Sequence, residues 1–472
     1  MTRDNINRRR VLSAAGTGIA AAAAGCLGGG GGNNSNEVHF ITDYYNGAWE
    51  QLWGELESEY EGDNDVKLNI EEAGMSGSQE SRLAQLIQAG NPPDANTSTF
   101  DQVADIWSTG QLETVNDVVS SIEEVNGELQ PQGAFLGEGD NLFQIPHGSY
   151  VSNFQYRQDV YDDLGLSEPE TFQDILDNAK AIDESDEHDA RGYGLAGKKT
   201  GKSQDEYLVL AASAGIPPLG IRWKDPSAKE EFEIHFPEEE VTTVLQFCKD
   251  ISQYSPDPTS IGWAESLGGW AQGQYAQQYH LNAWPVGVAA QTAEAQDSDA
   301  LRGLAKATQV MAYPTWSEIS ADENWLSAPT PDGYHIFSRG GNVDQAKEWF
   351  KWVYGNSLEQ TASFYETDPG RFLPIYADVL DSDAFKNTDI MKAHPHLYEK
   401  LKKTQDEILG NHYGSVDAAN TSSPIALYMA RQWFYGEMIN RVVTDSMSIQ
   451  ETYEWGRSEL EKAFSDAQEQ FG

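Results

Sequence analysis

Between Val38 and Pro93 the apolar residues switch back and forth between two periods. Val38–Ile41 is a short apolar run that reads as a strand, and Asp43-Tyr44-Tyr45-Asn46-Gly47 follows it as a loop. Trp49, Leu52, Trp53 and Leu56 then recur at helical spacing. Val66-Lys67-Leu68-Asn69-Ile70 alternates as a strand does. Leu83, Leu86 and Ile87 mark a second helix that must stop at Gly90-Asn91-Pro92-Pro93. Strand, helix, strand, helix in that order predicts an α/β layer fold.

The pattern continues downstream. Thr171-Phe172-Gln173-Asp174 is a capping-box start leading into Ile175, Leu176 and Ala179. Asn342 is placed to cap a helix carrying Val343, Ala346, Trp349, Phe350 and Val353, closed by Gly355. Met438, Ile439, Val442 and Val443 share one helical face, and Leu460 and Phe464 mark another. After residue 36 there is neither a tandem repeat nor a Pro/Gly-rich linker, so two lobes would be joined by short crossings of ordered chain.

The first 36 residues read as an address. Arg3 and Arg8-Arg9-Arg10 precede the soft apolar stretch Val11–Ala24 and then Ala23-Ala24-Gly25-Cys26. Arg8-Arg9-Arg10-Val11-Leu12 resembles a twin-arginine export signal, and Ala-Ala-Gly-Cys resembles a lipobox in which Cys26 becomes the lipidated first residue. Residues 1–25 are then a signal peptide and 26–36 a Gly/Asn tether. A retained membrane helix is the other reading, but the apolar stretch is short for spanning. With Cys26 lipidated, Cys248 has no intrachain partner, and its apolar helical setting reads as core. The predicted location is the extracellular face of the cytoplasmic membrane.

Charge narrows the partners. The chain carries 75 Asp plus Glu against 31 Lys plus Arg, a formal charge of −44. Loss of residues 1–25, with four Arg and one Asp, takes this to −47. Such a surface repels nucleic acid and anionic lipid. At 39% hydrophobic and 11% aromatic residues the chain can still fill large cores. A uniform acidic excess with few Lys reads as a surface adapted to high salt, of haloarchaeal type, where counterions screen the self-repulsion.

Several apparent motifs fail on context. Gly192-Tyr193-Gly194-Leu195-Ala196-Gly197 matches GxGxxG, but a polar acidic stretch precedes it, so a turn entering a strand is expected. Gly201-Lys202-Ser203 has the wrong spacing for a phosphate loop. The nine His show no HExxH, and there is no GxSxG and no EF-hand spacing. No cofactor or metal is expected.

Taken in order, other stretches resemble one family, the extracellular solute-binding proteins of ABC importers in the group that includes maltose-binding protein. These are Gly90–Asp94 with Trp107–Leu112; Gln144–Gly148 with Tyr156–Asp159, Gly165-Leu166 and Pro169–Phe172; Trp270–Ala276 with Trp284 eight residues on; Ala346–Phe350; and Gly370–Pro374. The departures are Tyr156-Arg157-Gln158 for the usual Tyr-Asn-Lys, Gln277 for a common Met, and Ser98 where maltose binders place a stacking Trp.

The resemblance implies a type II periplasmic-binding-protein-like fold, two α/β lobes around a ligand cleft. Crossings are expected near Pro146–Ser152, Met311–Pro314 and Arg371. Lobe one would comprise 37–147 plus 312–367, and lobe two 148–311 plus 368–472. The implied function is reception of a sugar or similar polar solute by a monomer that hands it to ABC permease subunits without chemistry. Alternatives are a lipid-anchored polysaccharide hydrolase and a binder of peptide, polyamine or metal, Tyr44-Tyr45 being a conceivable ferric pair. The implied cleft residues are Asp43 and Tyr44 after the first strand, Thr99, Phe100 and Asp101 after the third, Tyr150 at a crossing, and Trp284 as the stacking Trp. Trp316, Gln204, Asp205, Trp270 and Arg371 are further candidates.

Overall fold

The computed structural model describes residues 36–44, 47–73, 77–99, 106–107, 110–130, 137–138, 141–217, 219–225, 227–228, 231–314, 316, 330–409 and 423–471. Residues 1–35, which include the expected signal peptide, Cys26 and nearly all of the tether, lie outside them, as do Tyr45, Phe100 and Asp101.

The N-terminal alternation forms as its periods dictate. Strand β1 (Glu37–Thr42) leads to the helix Ala48–Asp63, then β2 (Lys67–Glu72), the helix Gly77–Gln88 and β3 (Ala95–Thr99). Trp49, Trp53 and Leu56, one turn apart, are the face that the first helix buries. A short ribbon, β4 (Gly137–Glu138) with β5 (Asn141–Leu142), precedes β6 (Ile145–Tyr150) and β7 (Ser152–Arg157). A second ribbon pairs β8 (Ile221–Trp223) with β9 (Phe232–Ile234). Then come β10 (Gln277–Leu281), β11 (Thr308–Met311) and β12 (Thr330–Ile336).

Two sheets organise the molecule. The first has the order β2-β1-β3-β12-β6, with β1 parallel to β2 and β3 and with β12 antiparallel to β3 and β6. The second has β7 between β10 and β11, antiparallel to both. Helices cover both. Phe40, Trp53, Tyr334 and Phe350 meet edge-on or stacked in the first core. Phe154, Phe172, Tyr313 and Trp316 do the same in the second. The segment Phe372–Leu401 adds its apolar residues to the first core.

Thr171 caps the helix Phe172–Asp183 with the reciprocal Asp174 bonds that define a capping box. Asn342 stands at the start of the helix Val343–Gly355 but makes no side-chain cap bond, because its amide donates instead to the Glu37 carbonyl. Cys248 is fully buried in the helix Glu238–Ile251. The Gly192–Gly197 run does not enter a strand. It runs irregularly beside β10, with Gly194 N–H bonded to the Gln277 carbonyl, and the helix Gly201–Ser213 opens after it. Its glycines are there for closeness, since a Cβ on Gly192 would overlap the Ala179 carbonyl. Among the described residues no helix is long and apolar enough to cross a membrane.

The junction between the sheets is narrow. Only Val151 separates β6 from β7. The segment after β11 returns to β12, and a third stretch, Asp368–Leu373, lies against the first junction through paired Ser149 and Leu373 backbone bonds. One side chain ties the first and third of these passages together. Asn282, in the left-handed region at φ 45°, donates its amide to the carbonyls of Ser149 and Arg371 at 2.8 and 2.7 Å. Its amide oxygen accepts the Val151 N–H at 3.0 Å. Asn tolerates that backbone conformation better than most residues, so both its main chain and its side chain suit the place. Gly370 and Gly287 allow the third passage to press on the helix Trp284–Gln296: a Cβ on Gly287 would overlap the Pro369 carbonyl oxygen, and one on Gly370 the Ala283 carbonyl.

Candidate functional site

Chain ends from both sheets converge at this junction. In the first sheet, β1 ends at Thr42, β3 at Thr99 and β6 at Tyr150, while β12 begins beside them, with Thr330 opposite Tyr150 and Asp332 opposite Thr99. Loops at the carboxyl ends of parallel strands are where open α/β sheets present binding groups. From the second sheet, β10 leads through Asn282 into the helix that starts at Trp284. The third passage brings Asp368 and Arg371.

Arg371 is the centre of the cluster. Its guanidinium lies 4.6 Å from the ring centre of Tyr44 and 4.6 Å from that of Trp284. It donates to the hydroxyls of Tyr150 at 3.1 Å and Tyr44 at 3.3 Å, and to Asp368 at 3.0 Å. Both tyrosines pass their own protons on to one oxygen of Asp332, Tyr150 at 3.0 Å. Asp368 also accepts the Trp284 indole N–H at 3.0 Å. A guanidinium desolvated between two aromatic faces is worth about 2 kcal/mol per good contact. Burial works against the charge on Arg371, yet the surrounding tyrosines and carboxylates hold its pKa above the ordinary value.

The acids around it are not alike. Asp332 and Asp368 have their oxygens engaged. Asp43 Oδ1 is buried without a partner. Burial pushes the Asp43 carboxyl up to about 7; Arg371 works against this and Asp332 adds to it. His147, packed edge-on against Phe372, is pushed down to about 4, chiefly by burial. One acid with an unused buried oxygen, poised near neutrality, next to a fixed cation and two aromatic rings, is equipped to take hydroxyl groups.

Of the expected residues, the structure thus brings together Asp43, Tyr44, Tyr150, Trp284 and Arg371. Thr99 is placed by its backbone opposite Asp332. Phe100, Asp101 and Cys26 are outside the described residues. Two indoles belong to the cores instead. Trp270 is fully buried with its N–H on the Thr308 hydroxyl at 3.1 Å, and Trp316 stacks on Phe172 at 3.9 Å with its N–H on Ser213. Helical spacing places an indole on a buried face but says nothing of which layer lies opposite. Gln204 and Asp205 sit on the helix Gly201–Ser213, where the Gln204 amide donates to the Ala430 carbonyl. Asp332, Asp368 and Asn282 are members that sequence reasoning does not find. Among the described residues no group of three or more His, Cys, Asp or Glu could hold a metal ion.

Over residues 42–359 the chain matches the model of the bacterial extracellular solute-binding protein family. The chain belongs to that family. None of the curated protein sequences compared with the chain matches it. Similar solved structures of solute-binding proteins are numerous. One from Thermotoga lettingae, bound with α-D-tagatose, is 17% identical over 91% of this chain and 99% of its own, with a TM-score of 0.68. A maltose-bound protein from T. maritima is 14% identical over 90% and 99%, TM-score 0.67. A sugar transporter protein from Arthrobacter chlorophenolicus, with bound laminaribiose, is 12% identical over 91% and 99%, TM-score 0.67. At these identities the likeness speaks for the fold: two α/β lobes with a cleft between them, the architecture in which solute-binding proteins work.

Proposed function

We propose that this solute-binding protein is the receptor of an ABC importer for a sugar or polyol, which it holds at the lobe junction and hands unchanged to a membrane permease. The observation that carries the reading is the convergence of Asp43, Tyr44, Tyr150, Trp284 and Arg371 from both sheets on one junction. Thr99, at the end of β3, belongs to the same proposed set. Carboxylates and amides suit hydroxyls, and flat rings suit the C–H faces of a sugar. A Trp face covering roughly 80 Å² of solute contributes about 2 kcal/mol. Two such faces with several charge-assisted bonds reach micromolar affinity, about −8 kcal/mol, after ordering costs. Structural neighbours that carry tagatose, maltose and laminaribiose favour this solute class over peptides.

The lobes are taken as 37–147 plus 312–367 and 148–311 plus 368–472, except that Phe372–Leu401 packs into the first core, and they close around the solute by an open-to-closed shift. Residues 1–25 direct export by the twin-arginine route, and a lipid on Cys26 anchors the monomer outside the membrane. Thermal-shift titration of the purified protein against sugars, polyols, peptides, amino acids and metal ions tests the solute class. A rise in melting temperature with sugars or polyols supports it. A rise only with the other classes refutes it.

A further inference from the structure

The amide of Asn282 reaches further than a local turn requires. Asn282 follows β10, precedes the helix Trp284–Gln296 and is fully buried. Glycine takes a backbone at φ 45° freely, so the turn alone does not call for a side chain here. The side chain is nonetheless engaged at both ends. One N–H of the amide goes to the Ser149 carbonyl and one to the Arg371 carbonyl, and the oxygen takes the Val151 N–H.

Each of these groups lies at the root of a residue in the proposed solute set. Ser149 and Val151 flank Tyr150, and the third bond is to the main chain of Arg371 itself. Trp284 stands two residues after Asn282, and between them the Ala283 N–H bonds to the Gly370 carbonyl at 3.0 Å. One amide therefore sets the spacing of three side chains that meet at the junction from three separate stretches of chain.

Asn282 is itself held by the second sheet. Its N–H bonds to the Val151 carbonyl at 2.8 Å, and its carbonyl accepts the Asn153 and Gln155 amides at 2.7 and 2.9 Å. The Gln155 amide also reaches the Asn153 oxygen at 2.9 Å, and both residues are fully buried on β7. Desolvated amides bonded to one another are costly to rearrange, which makes Asn282 a fixed reference point.

We propose that Asn282 is the positioning residue of the solute site: without touching the solute, it fixes the distances between Tyr150, Arg371 and Trp284 across the junction and so sets the affinity. This rests on the sugar-receptor reading and adds to it a determinant that lies behind the contact surface. The physical reason is preorganisation, since groups already held at the right spacing lose less freedom when the solute arrives.

The test titrates the full chain by calorimetry with maltose, laminaribiose, tagatose, ribitol and mannitol, comparing the parent with Asn282→Gly, Asn282→Asp and Asn126→Ala. Asn282→Gly keeps the backbone and loses all three side-chain bonds. Asn282→Asp keeps the shape but turns an acceptor toward two carbonyls. Asn126→Ala is the comparison for stability, because the fully buried Asn126 amide joins two helices of the first core through the Tyr354 carbonyl at 2.6 Å. For a solute that binds the parent, both Asn282 variants weaken the Kd by about ten- to hundredfold, whereas Asn126→Ala lowers the urea midpoint and leaves the Kd in place. Hydrogen exchange on the solute-free protein is the second readout: protection of the Val151 and Leu373 N–H groups falls in Asn282→Gly, while that of β1 holds. Should Asn282→Asp fail to fold, Asn282→Gly decides alone. A parent-like Kd in Asn282→Gly overturns the proposal, as does an equal loss of affinity in Asn126→Ala. If none of the five solutes binds the parent, the sugar reading fails, and the exchange result by itself then upholds or overturns the positioning role.

Discussion

Among the described residues, the buried cations Lys202 and Arg371 both lie against aromatic rings, and their settings differ. Lys202 forms an ion pair at 3.4 Å with Glu206 one helical turn on, both fully shielded from solvent. It also donates to the Tyr279 carbonyl at 2.9 Å and lies 4.0 Å from the Tyr279 ring centre. Glu206 accepts from the Tyr193 hydroxyl and the Ala196 N–H, both at 3.1 Å. Burial lowers the pKa of Lys202 and raises that of Glu206. The partners come from its own helix, from β10 and from the irregular Gly192–Gly197 run beside β10, and both Glu206 oxygens are engaged. Arg371, by contrast, gathers groups from the ends of β1 and β6 together with Trp284 and Asp368, and it sits beside an acid with an unused oxygen. A buried charge satisfied within one lobe fastens that lobe. One shared between lobes, with bonding capacity left over, is a place for a guest.

Stability breaks the comparison most sharply. Lys202→Ala leaves Glu206 buried and uncompensated, which costs about 3–5 kcal/mol, read as a fall in the urea midpoint. An unchanged midpoint would remove the distinction between the two clusters. Arg371→Lys has the opposite profile. A lysine cannot reach Tyr44, Tyr150 and Asp368 from one planar fork, so sugar affinity falls by about 100-fold, about 2.7 kcal/mol, while the fold survives. A variant that binds as the parent does would strip Arg371 of its place in the site.

Acidity gives a smaller effect of known sign. Asp43, raised from 3.8 to about 7, binds its proton more tightly in the folded state, so it contributes stability at low pH that is lost as pH rises through about 7. His147, lowered from 6.5 to about 4, contributes stability at neutral pH that is lost as pH falls through that value. The two oppose each other between pH 4 and 6.5. Relative to the parent, Asp43→Asn should therefore gain stability as pH rises from 5 toward 8, by about 1 kcal/mol or more, and His147→Gln should gain as pH falls. Denaturant melts across this range check both directions. Salt separates the clusters least. At −44 formal charge, about 10 mM buffer leaves the lobes unscreened and should loosen the junction before the Lys202 pair. A near-ultraviolet circular dichroism spectrum identical to that in molar salt would contradict this.

Much of the first sheet could be read from sequence, because local period alone decides it: the Trp49–Leu56 spacing, the alternation at 66–70 and the stop at Gly90 need no distant partner. Thr171 and Asp174 were equally plain, since a capping box closes on itself. β12 was hidden. Thr330-Pro331-Asp332-Gly333 has the composition of a turn, yet it lies in the middle of the sheet, where a register shift between Asp332 and Gly333 accommodates it. With β12 went Asp332. Only the family resemblance points to Trp284 and Arg371, and the same resemblance points to Trp270 and Trp316, which pack in cores. Asn282 could not be found at all, because its bonds reach Ser149 and Arg371, 133 and 89 positions away.

The single residue between β6 and β7 also has a mechanical meaning. With Val151 as the only spacer, two nearly continuous strands act as a lever arm on each side of a very short pivot. A few degrees absorbed in the backbone there become a displacement that grows with distance toward the far rims. Spectroscopic labels on those outer edges would therefore report closure with far greater leverage than any probe beside the bound molecule.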